Sequence, residues 1–174
     1  YKTQDLMFSK GKVYSFCKEV IFYGNKKKFY QIKNPKKIDL SKVDFILMRQ
    51  NPPFNMDYIT ATFLLEKISK KTRIVNDPFV VRNMPEKLYS IEFLKFLPPT
   101  IFTKNVEEVV NFKKKYKKIV VKPTHGYGGK NIFFINKKAK KREISKYLRK
   151  HDHVMVQKFL PQIKHGDKRI FIIG

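Results

Sequence analysis

Residues 119 to 135 constrain this chain most. They read Ile-Val-Val-Lys-Pro-Thr-His-Gly-Tyr-Gly-Gly-Lys-Asn-Ile-Phe-Phe-Ile. A β-branched run ends in Lys122, a glycine-rich stretch follows, and a second apolar run closes the segment. Both apolar runs are too short for helices and are parted by strong turn formers, so the pattern predicts strand, turn, strand. Gly126, Gly128 and Gly129 let the backbone enter positive φ and bring bare N–H groups close to a ligand. A cation beside such donors suits a polyphosphate. The loop is not a Walker A motif, which needs Gly-x-x-x-x-Gly-Lys-Ser/Thr opening a helix. It predicts a flap between two strands.

The rest of the chain supplies elements of two kinds. Leu6–Phe8, Val13–Cys17, Val20–Tyr23 and Phe29–Ile32 are strand candidates, parted by Ser9–Lys12 and Gly24–Lys27 as hairpin turns. Phe45–Met48 reads as a buried parallel strand, Arg49–Phe54 as a rigid loop, and Asp57–Lys70 as a helix with Ile59, Phe63, Leu64 and Ile68 inward. Arg73–Val75 completes a βαβ unit, which predicts an open α/β sheet with ligands at the carboxyl ends of its strands. Arg49 and the Pro52-Pro53 loop stand at such an end.

Beyond about residue 84 the pattern becomes α+β. Asn83–Glu86 and Asn105–Glu108 read as capping boxes, the first opening a helix that presents Leu88, Ile91 and Leu94, the second one that presents Val109, Phe112 and Tyr116. A strand at Thr100–Thr103, a helix near Glu143–Lys150 and strands at Val154–Lys158 and Arg169–Ile173 complete the expectation. The expected domains are residues 1–84 and 85–174.

Composition narrows the function classes. A net charge of +25 invites a nucleic-acid reading, but the excess is 33 Lys against 6 Arg. Phosphate and base recognition favours the bidentate arginine fork. Lys, Ile and Asn are abundant while alanine occurs only at Ala61 and Ala139, which is the signature of AT-rich codons. A specific nucleic-acid partner is therefore not expected. No apolar run approaches the ~18 residues of a membrane span, and no membrane partner is expected. The lone Cys17 suits a reducing, cytoplasmic setting. His151 and His153 flank Asp152 as a conceivable metal pair, with turn residues the simpler reading.

Taken together, the elements resemble the ATP-grasp ligases. The matching pieces are Glu86-Lys-Leu88, Val121-Lys122-Pro123, the Gly126–Gly129 flap, Val156–Leu160 and Asp167–Arg169. Asp44–Phe54 with its Met-Arg-x-x-Pro-Pro-Phe element, Tyr58–Thr62, Ile74–Asn76, Asn83 and Leu160–Arg169 are similar, more narrowly, to bacterial-type glutathione synthetase. The resemblance implies a truncated open α/β domain, the pre-ATP-grasp domain, followed by the first part of an ATP-grasp domain. It implies that ATP phosphorylates the carboxylate of γ-glutamylcysteine and that glycine displaces the phosphate, giving glutathione. Another carboxylate–amine ligase of the same fold is the nearer alternative.

Roles follow from the same resemblance. Lys87 and Lys122 would hold phosphates, and Gly126, Tyr127, Gly128 and Gly129 would cover them. Gln157, Lys158, Phe159 and Leu160 would meet the adenine edge, and Asp167 a ribose hydroxyl. Arg169 would stabilise transferring charge as the catalytic residue, and Arg49, Pro52 and Pro53 would hold the dipeptide. The Mg²⁺ ligands are expected in the C-terminal part of the ATP-grasp domain, which this sequence lacks, as it lacks the first strand and helix. The implied full-length enzyme is a homo-oligomer, and the isolated 174 residues are expected to be inactive and poorly soluble.

Overall fold

The computed structural model describes residues 1–24, 29–168, 170 and 171. The chain divides into two compact units, Tyr1–Pro85 and Glu86–Gly174.

In the first unit β1 (Met7–Ser9), β2 (Lys12–Phe22) and β3 (Tyr30–Asp39) form an antiparallel sheet in that order. Lys10 and Gly11 join β1 to β2 with φ of 49° and 75°. Two positive-φ residues suit the right-handed twist of a tight hairpin, as the Ser9–Lys12 turn predicts. The two strands expected at Val13–Cys17 and Val20–Tyr23 are one strand, with an irregularity between Lys18 and Val20. The expected Gly24–Lys27 turn lies mostly outside the described residues, but Phe22 pairs with Tyr30 and Val20 with Ile32 as a hairpin requires. β3 runs past the expected end at Ile32 and continues through Pro35 to Asp39. Pro35 is tolerated because β3 is an edge strand, where a missing N–H removes no ladder bond.

β4 (Phe45–Leu47) and β5 (Arg73–Val75) pair in parallel and are linked by α1 (Met56–Glu66), the expected βαβ unit. Asn55 caps α1 by accepting from Tyr58 N at 3.0 Å. The helix ends at Glu66 rather than Lys70, because the chain tightens into i→i−3 bonds from Lys67 onward. Its buried face is Ala61, Thr62 and Leu65, with Ile68 just beyond, and not the expected Phe63. Phe63 lies outward under the Arg82 guanidinium, 3.9 Å from its ring centroid. β4 is buried on one face only. Ile46 and Met48 join the core, while Phe45 and Leu47 are exposed, since one sheet partner and one helix cover a single side.

The expected capping box at Asn83 is also corrected. Asn83 closes a short helix, α2 (Pro78–Asn83), and donates from Nδ2 to Phe79 O. The N-cap is Asp77, which accepts from Phe79 N and Val80 N. Pro78 at the first helical position is the sequence signal for this start. The helix expected to carry Leu88, Ile91 and Leu94 is a 3₁₀ segment, Tyr89–Phe96, kinked at Phe93 and uncapped by any side chain.

The second unit is an antiparallel four-stranded sheet of order β6-β9-β7-β8, with β6 Thr100–Thr103, β7 Ile119–Pro123, β8 Phe133–Ile135 and β9 Val154–Lys158. Helices α3 (Val106–Tyr116) and α4 (Lys141–Leu148) pack together and on the sheet. Asn105 caps α3 through Glu107 N rather than Glu108 N. Glu143 reaches back to Lys140 N and fixes the start of α4. The core beneath the helices is Val109, Ile119, Val121, Ile135, Ile144, Leu148, Val154 and Val156, all nearly sealed from solvent.

Candidate functional site

Strand alternation sorts this sheet into two faces. Ile119, Val121, Ile135, Val154 and Val156 enter the core, so Val120, Lys122, Phe134 and Gln157 belong to the opposite face. The strand register then lines up a single row across all four strands. Thr100 stands opposite Gln157, Gln157 opposite Val120, and Val120 opposite Phe134. Over this row opens a cavity of about 490 Å³, lined by Val120, Lys122, Ile132, Phe134, Gln157 and the stretch Lys158–Leu160, with Pro98 and Ile163. An apolar floor edged by the lysines Lys122 and Lys158 and by the Gln157 amide suits a flat heterocycle joined to an anion.

The polar groups are placed by their neighbours. Lys122 Nζ donates to Gln157 Oε1 at 2.9 Å, and Gln157 Nε2 donates to Thr100 Oγ1 at 3.0 Å. This chain of bonds lets Gln157 stay buried at 7% exposure without an orphaned amide. Burial lowers the Lys122 pKa below its ordinary value, the nearby Lys87 charge lowers it further, and Glu86 opposes the shift. The Lys87 charge thus acts on the Lys122 ammonium group. Lys87 itself is half-buried and donates to the carbonyl of Gly126 at the entrance of the flap.

The flap lies between the antiparallel strands β7 and β8, as the sequence predicts. Gly128 and Gly129 hold φ of 57° and 69°, in the left-handed region that favours glycine. Gly126 is different: a Cβ there would meet Pro123 at 3.3 Å. Gly126 and Tyr127 line a second, basic cavity of about 380 Å³ with Lys104, His125, Arg149 and His153. The flap thus borders this second cavity through Gly126 and Tyr127, while Ile132, just past the flap, lines the first.

The other expected residues are less concentrated. In the stretch Gln157–Leu160, two backbone N–H groups are already committed, Lys158 N to Pro99 O and Phe159 N to Lys118 O. Asp167 is exposed and is not part of the cavity lining. Arg169 lies outside the described residues, as does most of the strand expected at Arg169–Ile173, of which Ile170 and Phe171 are exposed and in no strand. In the first unit Arg49 lines a cavity of about 400 Å³ with Tyr1, Gln4, Leu47 and Gln50. Pro52 and Pro53 follow it, both exposed. Gln50, to which the sequence pattern assigns no role, has both amide atoms buried without a partner. Thr100 and Phe134 also carry no site signal in the motifs, though strand parity would have found both.

The described residues offer no site for a resident Mg²⁺. It needs hard oxygen ligands, and among the described residues no group of three or more His, Cys, Asp and Glu side chains is placed to hold a metal. His151 lies against the Tyr147 ring, at 4.5 Å between centroids, and the His153 carbonyl accepts from Thr124. No helix among the described residues is long and apolar enough to cross a membrane.

Comparison with known proteins gives a consistent family. The description of the prokaryotic glutathione synthetase N-terminal domain matches residues 1–82, and that of the prokaryotic glutathione synthetase ATP-grasp domain matches residues 86–174. A glutathione synthetase of Mesorhizobium japonicum is 39% identical over 177 residues, covering 99% of this chain and 56% of that protein. The chain thus spans about half the length of the curated relatives it matches. Among solved structures, D-cycloserine synthetase DcsG aligns at a TM-score of 0.55 and 19% identity, over 72% of this chain and 47% of its own. D-alanyl-alanine synthetase A from Vibrio cholerae aligns at 0.53 and 13%, over 89% and 48%. At such identities these two structures speak to the fold alone.

Proposed function

Because the chain belongs to the prokaryotic glutathione synthetase family, we propose that it carries the nucleotide-holding part of an ATP-dependent carboxylate–amine ligase. The reaction is the addition of glycine to γ-glutamylcysteine. ATP transfers its γ-phosphoryl group to the dipeptide carboxylate, the glycine amine attacks the acyl phosphate, and inorganic phosphate leaves with the amide formed. Residues 1–84 are assigned to the N-terminal domain and 85–174 to the ATP-binding domain. The enzyme acts in the cytoplasm as a homo-oligomer.

The observation that carries this reading is the ligand face of the second unit, where a desolvated lysine stands at the edge of an apolar slot. Adenine occupies the slot over Val120 and Phe134, with its edge toward Phe159 and Leu160. Lys122 and Lys87 neutralise the phosphates, since phosphoryl transfer depends mainly on positioning and charge. The Gly126–Gly129 amides close over them and keep water from the acyl phosphate. Gln157 orients Lys122, and Asp167 takes a ribose hydroxyl. Arg169 stabilises the transferring charge, and Arg49 with the Pro52-Pro53 loop takes the dipeptide. No step is assigned to a metal held by this chain.

The test is ADP release by the intact gene product supplied with ATP, Mg²⁺ and pairs of substrates. Release is expected only when γ-glutamylcysteine and glycine are both present, and the 174 residues alone are expected to show none. Release that follows a different acid or amine and ignores this pair overturns the substrate assignment.

A further inference from the structure

Tyr147 has no role in the site described above, yet its hydroxyl reaches β7 and the turn that leads from the flap into β8. It donates to the Asn131 carbonyl at 2.5 Å and lies 3.4 Å from the Val121 carbonyl. Val121 precedes Lys122. Asn131 ends the flap at φ 59°, a left-handed conformation that asparagine tolerates better than most residues. The ring is held from two sides. It stacks on Phe133 at 5.0 Å and 27°, and His151 packs at 4.5 Å. It rides on α4, whose Ile144 and Leu148 are locked in the core. Burial pushes the phenol up to about 12, so it stays a proton donor across the working range of pH.

The two ends of the flap are therefore tied differently. At the entrance the tie is Lys87 to the Gly126 carbonyl, and Lys87 is a group that a nucleotide would recruit. At the exit the tie is Tyr147, which does not line the apolar cavity. We propose that Tyr147 is a positioning residue that fixes the exit of the flap at Asn131. When nucleotide draws Lys87 away from Gly126, residues 126–130 swing about that fixed point and the glycine amides meet the phosphates in register. This rests on the nucleotide reading of the preceding subsection.

The experiment is Tyr147→Phe in this chain, which removes one oxygen and keeps the ring. Amide hydrogen exchange, ADP affinity and melting temperature are compared with the unsubstituted chain. Exchange at 126–132 is expected to accelerate about tenfold and ADP affinity to fall about five- to tenfold, the scale of one lost hydrogen bond. Exchange in β6, β9 and α3 is expected to stay as it was. Acceleration spread over the whole unit marks a merely structural role and overturns the proposal, as does an unchanged flap or an unchanged affinity. If the unsubstituted chain fails to bind ADP, the nucleotide reading itself is at fault. Normal binding that Tyr147→Phe leaves intact faults only the hinge. Should the variant not fold, the Tyr147 hydroxyl proton of the unsubstituted chain decides by NMR, and free exchange with water overturns the tether.

Discussion

Lys122→Met is expected to weaken ADP binding at least about 100-fold at neutral pH while changing the stability of the second unit by no more than about 1 kcal/mol. The binding loss follows from charge. Hydrogen bonds to ionised groups contribute about 1.5–3 kcal/mol each, and an ammonium set against a diphosphate makes more than one. The small stability effect follows from opposing terms. The substitution removes a cation that is penalised by burial and by Lys87, but it also leaves Gln157 Oε1 without its donor. Titration calorimetry and thermal melting of both chains check the pair of outcomes.

The pH dependence of the same pair has a definite sign. Lys122 has a folded pKa below 10.5. Its burial penalty on folding is fully present below that lowered value and is relieved as pH rises toward 10.5. Bound phosphates raise the pKa again, so ADP binding takes up protons, and affinity falls as pH rises through the lowered value. Lys122→Met removes that alkaline slope. A slope that persists unchanged in the variant would assign it to another group.

The second large effect lies on the other face of the same strand. Ile119→Ala is expected to destabilise the second unit by about 2–5 kcal/mol, the usual range for emptying a fully buried aliphatic site. Ile119 is 0% exposed and stands opposite Ile135 and Lys158, so the strand that presents Lys122 is packed through it. For a unit of this size each kcal/mol shifts the melting temperature by roughly 4–8 °C. The second unit is therefore expected to melt well below its normal temperature, with ADP affinity lost as the unit opens. A shift of only a degree or two would contradict the core described for this unit.

These two substitutions sit three residues apart in a segment whose pattern is legible in the amino-acid sequence alone. The apolar run 119–121, the terminal lysine and the glycines mark both the strand and the flap. Pairing is what such a pattern leaves hidden. Gln157 is 35 residues from Lys122 in sequence, and only the antiparallel register brings its amide beneath the ammonium group. The Tyr147 tether is hidden for the same reason, since helix periodicity marks its face but not the distant carbonyl it reaches. The departures from expectation are local. Asn83 and Glu86 match the spacing of a capping box, but Asp77-Pro78 competes for the helix start six residues earlier and wins. The long reach of β3 through Pro35 is illegible because edge position, which makes that proline harmless, is a property of the assembled sheet.

The central claim is that Lys87, Lys122 and the glycine flap form one nucleotide site on the face of the second sheet opposite its buried core. Backbone NMR of this chain during an ADP titration tests it most directly. Saturable shifts are expected at Lys87, Lys122, Gly126–Gly129 and Gln157–Leu160. Shifts confined to the basic cavity around Lys104 and His153, or none at millimolar ADP, would contradict it.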